Sequence, residues 1–328
     1  MLKVAVIGAG TMGSVHATAY SKMSSAELVG IVDPRREHTA KLASSLGTKS
    51  YDTLENLLEA NDPDVVDVCV PTYLHRTYVE RLARLKKHVI CEKPISRTLE
   101  DARAMIDTCN KEGVDLYIAQ VVRFFPEYKR AHDLLLDGAV GETGTVYAMR
   151  GGVFPQGWQD WYANFDRCGT LIVDMMIHDF DFLRWCYGDI ERVFAKSMWG
   201  RDFQRLDHAM VSLRFKSGVI ALCEGTWAHT DGFRTRLEIS GKEGIISHDS
   251  EEAVAIRSSF RTRSSEAAGV AVPESPLNHD PYYLELEHFI DCIEHGKPPI
   301  VSAEDGYQAL EISLAALESI QTGKPVEW

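Results

Sequence analysis

Val4-Ala5-Val6-Ile7-Gly8-Ala9-Gly10-Thr11-Met12-Gly13 decides the fold. Four apolar residues, three of them β-branched, read as a strand, and the glycines behind them have the spacing G-x-G-x-x-G at the point where a helix opens. Gly8 permits the tight turn, Gly10 lets the backbone approach a pyrophosphate, and Gly13 lets helix and strand pack closely. The helix N-terminus, Thr11 and Met12 included, supplies amides and partial positive charge to that anion. Asp33 follows 20 residues after Gly13, at the end of a second strand. A carboxylate there accepts hydrogen bonds from the adenosine ribose hydroxyls and repels a 2′-phosphate. NAD is the expected cofactor. Arg35 and Arg36 come next and can swing toward a 2′-phosphate, which keeps NADP open.

Outward from this motif, short apolar runs alternate with helix-period segments. The runs are Lys3 to Ile7, Glu27 to Val32, Val65 to Val70, His88 to Cys91 and Leu116 to Ala119. Such alternation requires crossover connections and predicts a doubly wound parallel sheet, a Rossmann domain over residues 1–121. After Val121 the pattern changes. A helix over Pro126 to Leu136 and a long apolar segment from Leu171 to Tyr187 precede the alternating runs Arg205 to Phe215, Val219 to Trp227, Arg234 to Ser240 and Gly244 to His248. Short glycine-containing turns join these runs, so residues 122–328 are expected to form a C-terminal α+β domain with an open, mainly antiparallel sheet. Arg257 to Asn278 reads as a mobile loop, and Pro281 to Glu294 and Ala303 to Ile320 as helices.

Composition agrees with two globular domains. The chain has 328 residues, 45% of them apolar and 25% charged, and domains run at about 150 residues. Thirty-five basic against 48 acidic side chains give a net charge of −13, which repels a phosphate backbone and makes nucleic acid an unexpected partner. The first apolar run is interrupted by Gly8 and Gly10 before a signal-peptide core forms, and no run is long enough for a membrane span. A cytoplasmic protein is expected. Seven widely spaced cysteines with no C-x-x-C pair indicate reduced thiols rather than a disulfide framework or a zinc ribbon.

Within Leu171 to Trp185, Asp174, His178, Asp181 and Trp185 stand at i, i+4, i+7 and i+11, one narrow polar stripe on an otherwise apolar helix. Burying a carboxylate and an imidazole costs several kcal/mol unless they pair or meet a ligand. Asp174, one turn before His178, is placed to orient its ring. Spacing alone allows equally a helix whose Asp and His simply bond each other and the backbone. No catalytic metal is expected, because His208, Cys223 and His229 form no ligand motif.

At Cys91-Glu92-Lys93-Pro94 a lysine ends a parallel strand beside the cofactor crevice. With the glycine fingerprint, this E-K-P motif resembles the Gfo/Idh/MocA family of NAD(P)-dependent oxidoreductases. Val70-Pro71-Thr72-Tyr73-Leu74-His75, Gln120-Val121-Val122-Arg123-Phe124, Gly169 to Trp185, and the stretch from Gly296 to Gly306 are similar to further family segments in the same order. The resemblance implies a Rossmann domain followed by an open-sheet domain used in oligomer contacts, hence a homo-oligomer. It also implies cofactor contacts from Pro71, Thr72, His75, Glu92, Lys93 and Gln120. Inositol dehydrogenases of that family use an Asp and a His four residues apart, with the E-K-P lysine, for proton transfer. The matching residues here are Asp174, His178 and Lys93. Arg123 matches an arginine that reaches substrate hydroxyls, although an interdomain salt bridge is an equal reading. Tyr282 matches a tyrosine of the inositol dehydrogenase pattern, and Trp161, with Trp158 and Tyr162, offers an aromatic face to a sugar or simply core packing. One departure is Cys168-Gly169-Thr170, where the family has a glycine-rich run.

The expected activity is NAD-dependent oxidation of a secondary alcohol of a polyol, an inositol or sugar. His178 is the first choice for base, with Lys93 stabilising the developing alkoxide, and the two roles can be exchanged. Two alternatives share the fold: a glycosidase using NAD for transient oxidation, and a sugar-sensing regulator without chemistry.

Overall fold

Parallel pairing needs crossover helices, and the first 119 residues supply them in turn. The chain runs β1 (Leu2–Ile7), α1 (Thr11–Tyr20), β2 (Ala26–Val32), α2 (Arg36–Ser45), β3 (Ser50–Tyr51) and α3 (Leu54–Ala60). It continues through β4 (Val65–Val68), α4 (His75–Arg84), β5 (His88–Glu92), α5 (Leu99–Glu112) and β6 (Leu116–Ala119). The structure, a computed structural model, describes residues 1–155, 157–199, 206–252, 257–260 and 280–328. The sheet order is β3-β2-β1-β4-β5-β6, with every pair parallel. The order reverses between β1 and β4, and the carboxyl ends of those strands frame the crevice where doubly wound sheets bind ligands. β4 is buried at every position, as a strand covered on both faces must be. β3 was not anticipated. Two residues carry no periodicity, and only their pairing with Ile31 and Val32 makes them a strand.

The second part contains α6 (Pro126–Leu136), β7 (Thr143–Val153), α7 (Phe165–Cys168), α8 (Ile177–Tyr187), β8 (Ile190–Trp199) and β9 (Leu206–Phe215). Then come β10 (Ile220–Thr226), β11 (Ala228–Gly241), β12 (Gly244–Asp249), β13 (Arg257–Phe260), α9 (Pro281–His295), α10 (Ala303–Thr322) and β14 (Val326–Glu327). Its sheet has the order β13-β12-β11-β7-β10-β9-β8-β14, antiparallel except for the β7–β10 pair. Inward positions such as Val211, Leu213 and Cys223 join Phe180 and Leu183 of α8 and Leu310 of α10 in one apolar core. β13 corrects the expectation of a loop from Arg257, since its four residues pair with β12. Residues 261–278 of that expected loop lie outside the described residues.

The last two long helices return to the first sheet. Phe289 of α9 stacks on Tyr117 of β6 at 5.0 Å between ring centroids. Gly306 of α10 lies so close to Ile118 that a Cβ would come within 2.9 Å of its side chain. α10 also packs on β8 and so ties the two sheets together, whereas α9 packs on α1. All seven cysteines are free thiols. Among the described residues, no helix is long and apolar enough to cross a membrane.

Candidate active site

The glycine fingerprint has the geometry its spacing implies. Gly8 has φ +100°, and a Cβ on it would meet the Cys69 carbonyl oxygen at 2.4 Å. A Cβ on Gly13 would strike the Gly8 carbonyl oxygen at 1.8 Å, so the turn and the helix contact both require glycine. Gly10 differs: no protein atom lies within 4 Å of its Cβ position. The fold itself does not demand glycine there, and the open space is where a pyrophosphate would approach. The first turn of α1 carries no side-chain cap and no acidic residue, which leaves its amides available to an anion.

Asp33 sits at the carboxyl end of β2, with Oδ2 accepting the Ala9 N–H at 2.8 Å. Arg35 grips the same carboxylate with Nε on Oδ1 at 2.8 Å and Nη2 on Oδ2 at 2.7 Å. Burial would push the Asp33 carboxyl up, but the Arg35 and Ala9 hydrogen bonds outweigh it and hold the group below its ordinary value. Pro34, Arg35, Arg36, Glu37, His38 and Lys41 line a cavity beside this point.

At the other end of the crevice, Glu92 and Lys93 leave β5. The Lys93 backbone N–H donates to Glu92 Oε2 at 3.0 Å. His75, expected at the cofactor, is buried instead between backbone carbonyls, Nδ1 at 3.0 Å from Pro94 O and Nε2 at 2.9 Å from Val70 O. It therefore braces the Val70–Thr72 turn against the E-K-P turn, and burial lowers its pKa. Pro71 and Thr72 form the turn after β4. Gln120, just past β6, is fully buried with neither amide atom hydrogen-bonded among the described residues. An unpartnered amide at this edge fits a polar ligand. The open space at Gly10, the uncapped helix and this amide together suit a dinucleotide.

The polar stripe does not form as a single α-helix. Ile172–Met176 is a π-helical turn, and α8 begins only at Ile177. With i→i+5 bonding, residues four apart no longer lie one above the other. No hydrogen bond joins Asp174 to His178, which corrects the expected orienting role of Asp174. Asp174 turns to Lys93 instead, whose Nζ donates to the Asp174 carbonyl at 2.6 Å and lies 3.2 Å from Oδ1. His178 has a buried Nδ1 without a hydrogen-bond partner among the described residues. Burial, then the positive charges of Lys93 and Arg150, hold its pKa well below the ordinary 6.5.

Of the two readings of Arg123, the structure has the salt bridge. Its Nε and Nη2 donate to Asp181 at 2.8 and 2.6 Å and Nη1 to the Ile300 carbonyl at 2.8 Å. Asp305 lies 3.2 Å from Nη2. At 2% exposure the guanidinium is an internal strut, and a substrate hydroxyl finds no free donor on it. Asp181 is thereby accounted for by Arg123 rather than by the stripe. Trp161 packs on Tyr162 at 3.9 Å between centroids. Burial, with a contribution from the Asp174 charge, pushes the Tyr162 hydroxyl up, whereas Trp158 is 51% exposed. Tyr282 lies 6.3 Å from both the His16 and the Phe125 rings, and burial with Glu92 nearby pushes its hydroxyl up to about 12.

Sequence reasoning missed Arg150, which pairs with Asp179 at 3.0 Å and whose positive charge helps lower the His178 pKa. It also missed a buried group around His16, Asp67 and Glu285. Asp67 had a readable signal, an acid inside the apolar run Val65-Val66-Asp67-Val68.

Known proteins resemble the chain along its length. Residues 2–120 match the Gfo/Idh/MocA oxidoreductase family, NAD-binding Rossmann fold, and residues 128–247 match the Gfo/Idh/MocA C-terminal domain. The chain is 31% identical to a myo-inositol 2-dehydrogenase of Thermotoga maritima, over 99% of this chain and 98% of that protein. It is 28% identical to a scyllo-inositol 2-dehydrogenase (NAD(+)) of Bacillus subtilis, covering 99% and 96%. A levoglucosan dehydrogenase solved with NADH and L-sorbose superposes with a TM-score of 0.88 at 25% identity, covering 99% of this chain and 98% of that one. Matched along both its parts, the chain belongs to the Gfo/Idh/MocA family of NAD-binding oxidoreductases, enzymes acting on CH–OH groups.

Proposed function

We propose that the protein oxidises a secondary alcohol of a polyol, an inositol or closely related sugar, with His178 and Lys93 in proton transfer. The observation that carries this reading is the convergence of three polar side chains from distant parts of the sequence. Lys93 from the end of β5 meets Asp174 within 3.2 Å, and its charge acts on His178. Such a lysine–carboxylate–imidazole group suits a hydroxyl that must lose a proton. The inositol dehydrogenases among the similar proteins support the substrate class.

NAD, held by Gly8, Gly10, Thr11, Met12, Gly13 and Asp33, with Pro71, Thr72 and Gln120 along the crevice, supplies the hydride acceptor when bound. The chain's own task is the proton. His178 is neutral at physiological pH because burial and two neighbouring cations disfavour its charged form. It accepts the hydroxyl proton, and the Lys93 ammonium donates a hydrogen bond to the oxygen that is left more negative. Asp174 holds the ammonium in place and balances its charge. Trp161, Tyr162 and Tyr282 form the apolar wall on which a cyclitol ring packs.

We also assign the outward face of the eight-stranded sheet to contact with a second copy of the chain. Phe194, Met198, Met210, Ile220, Leu222 and Ile245 stand exposed on it at alternating strand positions.

A panel of inositols, aldoses and anhydrosugars with NAD, read by absorbance of reduced nicotinamide, tests the activity. Accumulation of NADH with a cyclitol or sugar is expected, and its loss in Lys93→Met and His178→Gln. Turnover that consumes a glycoside without net NADH, or NADH production at the wild-type rate in Lys93→Met, would overturn the reading.

A further inference from the structure

A closed group of ionisable side chains lies behind the candidate site. His16 on α1 is fully buried, with Nδ1 at 2.8 Å from Asp67 Oδ2 and Nε2 at 3.2 Å from Glu92 Oε1. Tyr20, one turn further along α1, donates its hydroxyl to the same Asp67 oxygen at 2.9 Å. Cys69 Sγ lies 3.3 Å from both His16 Nδ1 and Asp67 Oδ1. From α9, Tyr282 approaches the His16 ring, and Glu285 brings a fully buried carboxyl whose two oxygens have no hydrogen-bond partner among the described residues. Burial, opposed by His16 and reinforced by Glu92 and Asp67, raises the Glu285 pKa well above its ordinary value. His16 moves up as well: burial opposes its charge, but Cys69 and Asp67 outweigh it. The imidazole thus lies between the carboxyl groups of Asp67 and Glu92 on neighbouring strands.

Burying three carboxyl groups and an imidazole is costly, and an apolar core of the same shape costs nothing comparable. The connectivity suggests what the group accomplishes. One oxygen of Glu92 lies 3.2 Å from His16 Nε2, an ion-pair contact without hydrogen-bond geometry, and the other accepts the backbone N–H of Lys93. The backbone of Lys93 is therefore fixed from α1, the helix whose first turn belongs to the dinucleotide cradle.

We propose that His16 is a positioning residue for Lys93, acting through Glu92 and linking the cofactor-binding helix to the proton-transfer group. The importance of that link for turnover rests on the role given to Lys93 above, whereas the link itself does not. Small misplacements of a reacting group are costly in rate, and here a single side chain spans the distance from α1 to β5.

Two variants separate the two nitrogens of the ring. His16→Asn retains an amide near the Nδ1 position and gives up the Glu92 contact, while His16→Gln retains the ε position and gives up Asp67. The readout independent of turnover is the rate at which Lys93 Nζ is acylated in the NAD-bound enzyme by trace acetic anhydride, measured by peptide mass spectrometry against the exposed Lys86. In His16→Asn we expect the Lys93 rate to move at least about threefold with Lys86 unchanged, and kcat on a polyol the wild type oxidises to fall about tenfold with the KM for NAD within about twofold. His16→Gln should recover to within about threefold of wild type on the same measures. Glu92→Gln, which weakens the same link from its other end, should follow His16→Asn and serves where that variant does not fold.

Wild-type Lys93 acylation in soluble, NADH-binding His16→Asn or Glu92→Gln would overturn the proposal, and so would equal impairment of the Asn and Gln variants. Altered Lys93 acylation in a protein whose Lys93→Met variant still turns over would leave the link standing and remove the proton-transfer reading instead.

Discussion

Three residues at the site conflict with a simple local rule, and each conflict can be measured. Thr170 has φ +73°, a left-handed conformation that a β-branched residue adopts only under strain. It stands where the family resemblance has a glycine-rich run, one residue past the left-handed Gly169 and four before Asp174. Thr170→Gly should raise stability by about 1 kcal/mol, read from denaturant unfolding, and a destabilised variant would show that the strain reading is wrong. Asp33 is held at both oxygens by Arg35, so the group that favours NAD is partly neutralised by a group able to favour NADP. Asp33→Ser removes the carboxylate and frees the guanidinium. The ratio of kcat/KM for NADP over NAD should rise about tenfold or more, and an unchanged ratio would mean that Arg35 never reaches the cofactor. His178 carries the pH dependence. Its folded pKa lies below 6.5, so the unfolded chain takes the proton first. This group's stabilising contribution is present above 6.5 and is lost as pH falls through the folded value. Lys93→Met removes one of the cations that lower it, and the NMR titration midpoint of His178 should move upward. A midpoint at or above 6.5 in the wild type would contradict the lowering by burial and by the two cations.

At the scale of elements, the helix that carries the polar stripe owes its place to Arg123. The guanidinium joins the turn after β6 to Asp181 of α8 and Asp305 of α10 in one buried cluster. Breaking a buried ion pair leaves an uncompensated charge, so Arg123→Met should cost about 3–5 kcal/mol in unfolding experiments and shift α8, with the Lys93–Asp174 contact weakened. A loss of stability without any effect on polyol turnover would separate the strut from the site. The same helix marks how far the sequence could be read. G-x-G-x-x-G with Asp33, and E-K-P at a strand end, are local patterns whose meaning survives folding, and they placed the parallel sheet and the crevice correctly. Asp174 and His178 were identified by spacing, but the π turn over Ile172–Met176 changed their mutual relation, and no periodicity announces a π turn. Arg123 left two readings open because sequence spacing says nothing about Asp305, 182 residues away. β3 was too short to show a pattern, and β13 lacked apolar alternation because Arg257, Ser258 and Ser259 gain their strand character from β12. Glu285 is invisible in sequence for a related reason: an acid in the helical run Tyr282-Tyr283-Leu284-Glu285-Leu286 looks solvated until α9 is docked on α1.

On the scale of the whole molecule, one sheet is wrapped by helices on both faces, and the other is covered by helices on one face only among the described residues. The difference shows in register. Phe194 of β8 stands opposite Ser212 of β9, which stands opposite Leu222 of β10, which stands opposite Tyr147 of β7. This row crosses four strands on the face away from the core, and Met198 at 69% exposure and Ile220 at 44% extend it. The apolar side chains alternate with Ser212 and are flanked by Lys196, Arg214 and Glu224 on the same face, a mixed surface, and a stable association buries about 1,200–2,000 Å² in total, which a sheet of this breadth can provide. Self-pairing of the face also needs no second surface, because a two-fold axis brings the same row onto itself. Leu222→Lys places a charge at the centre of the row without disturbing the buried Ala221 and Cys223 on either side. Sedimentation velocity should find the wild type as a dimer or larger species at micromolar concentration and Leu222→Lys displaced toward the monomer, with its circular dichroism unchanged. Since Lys93, Asp174 and His178 all come from one chain, a monomeric variant should still bind NADH. A monomeric wild type would refute the assignment of this face, and retention of the wild-type assembly by Leu222→Lys would move the contact elsewhere on the molecule.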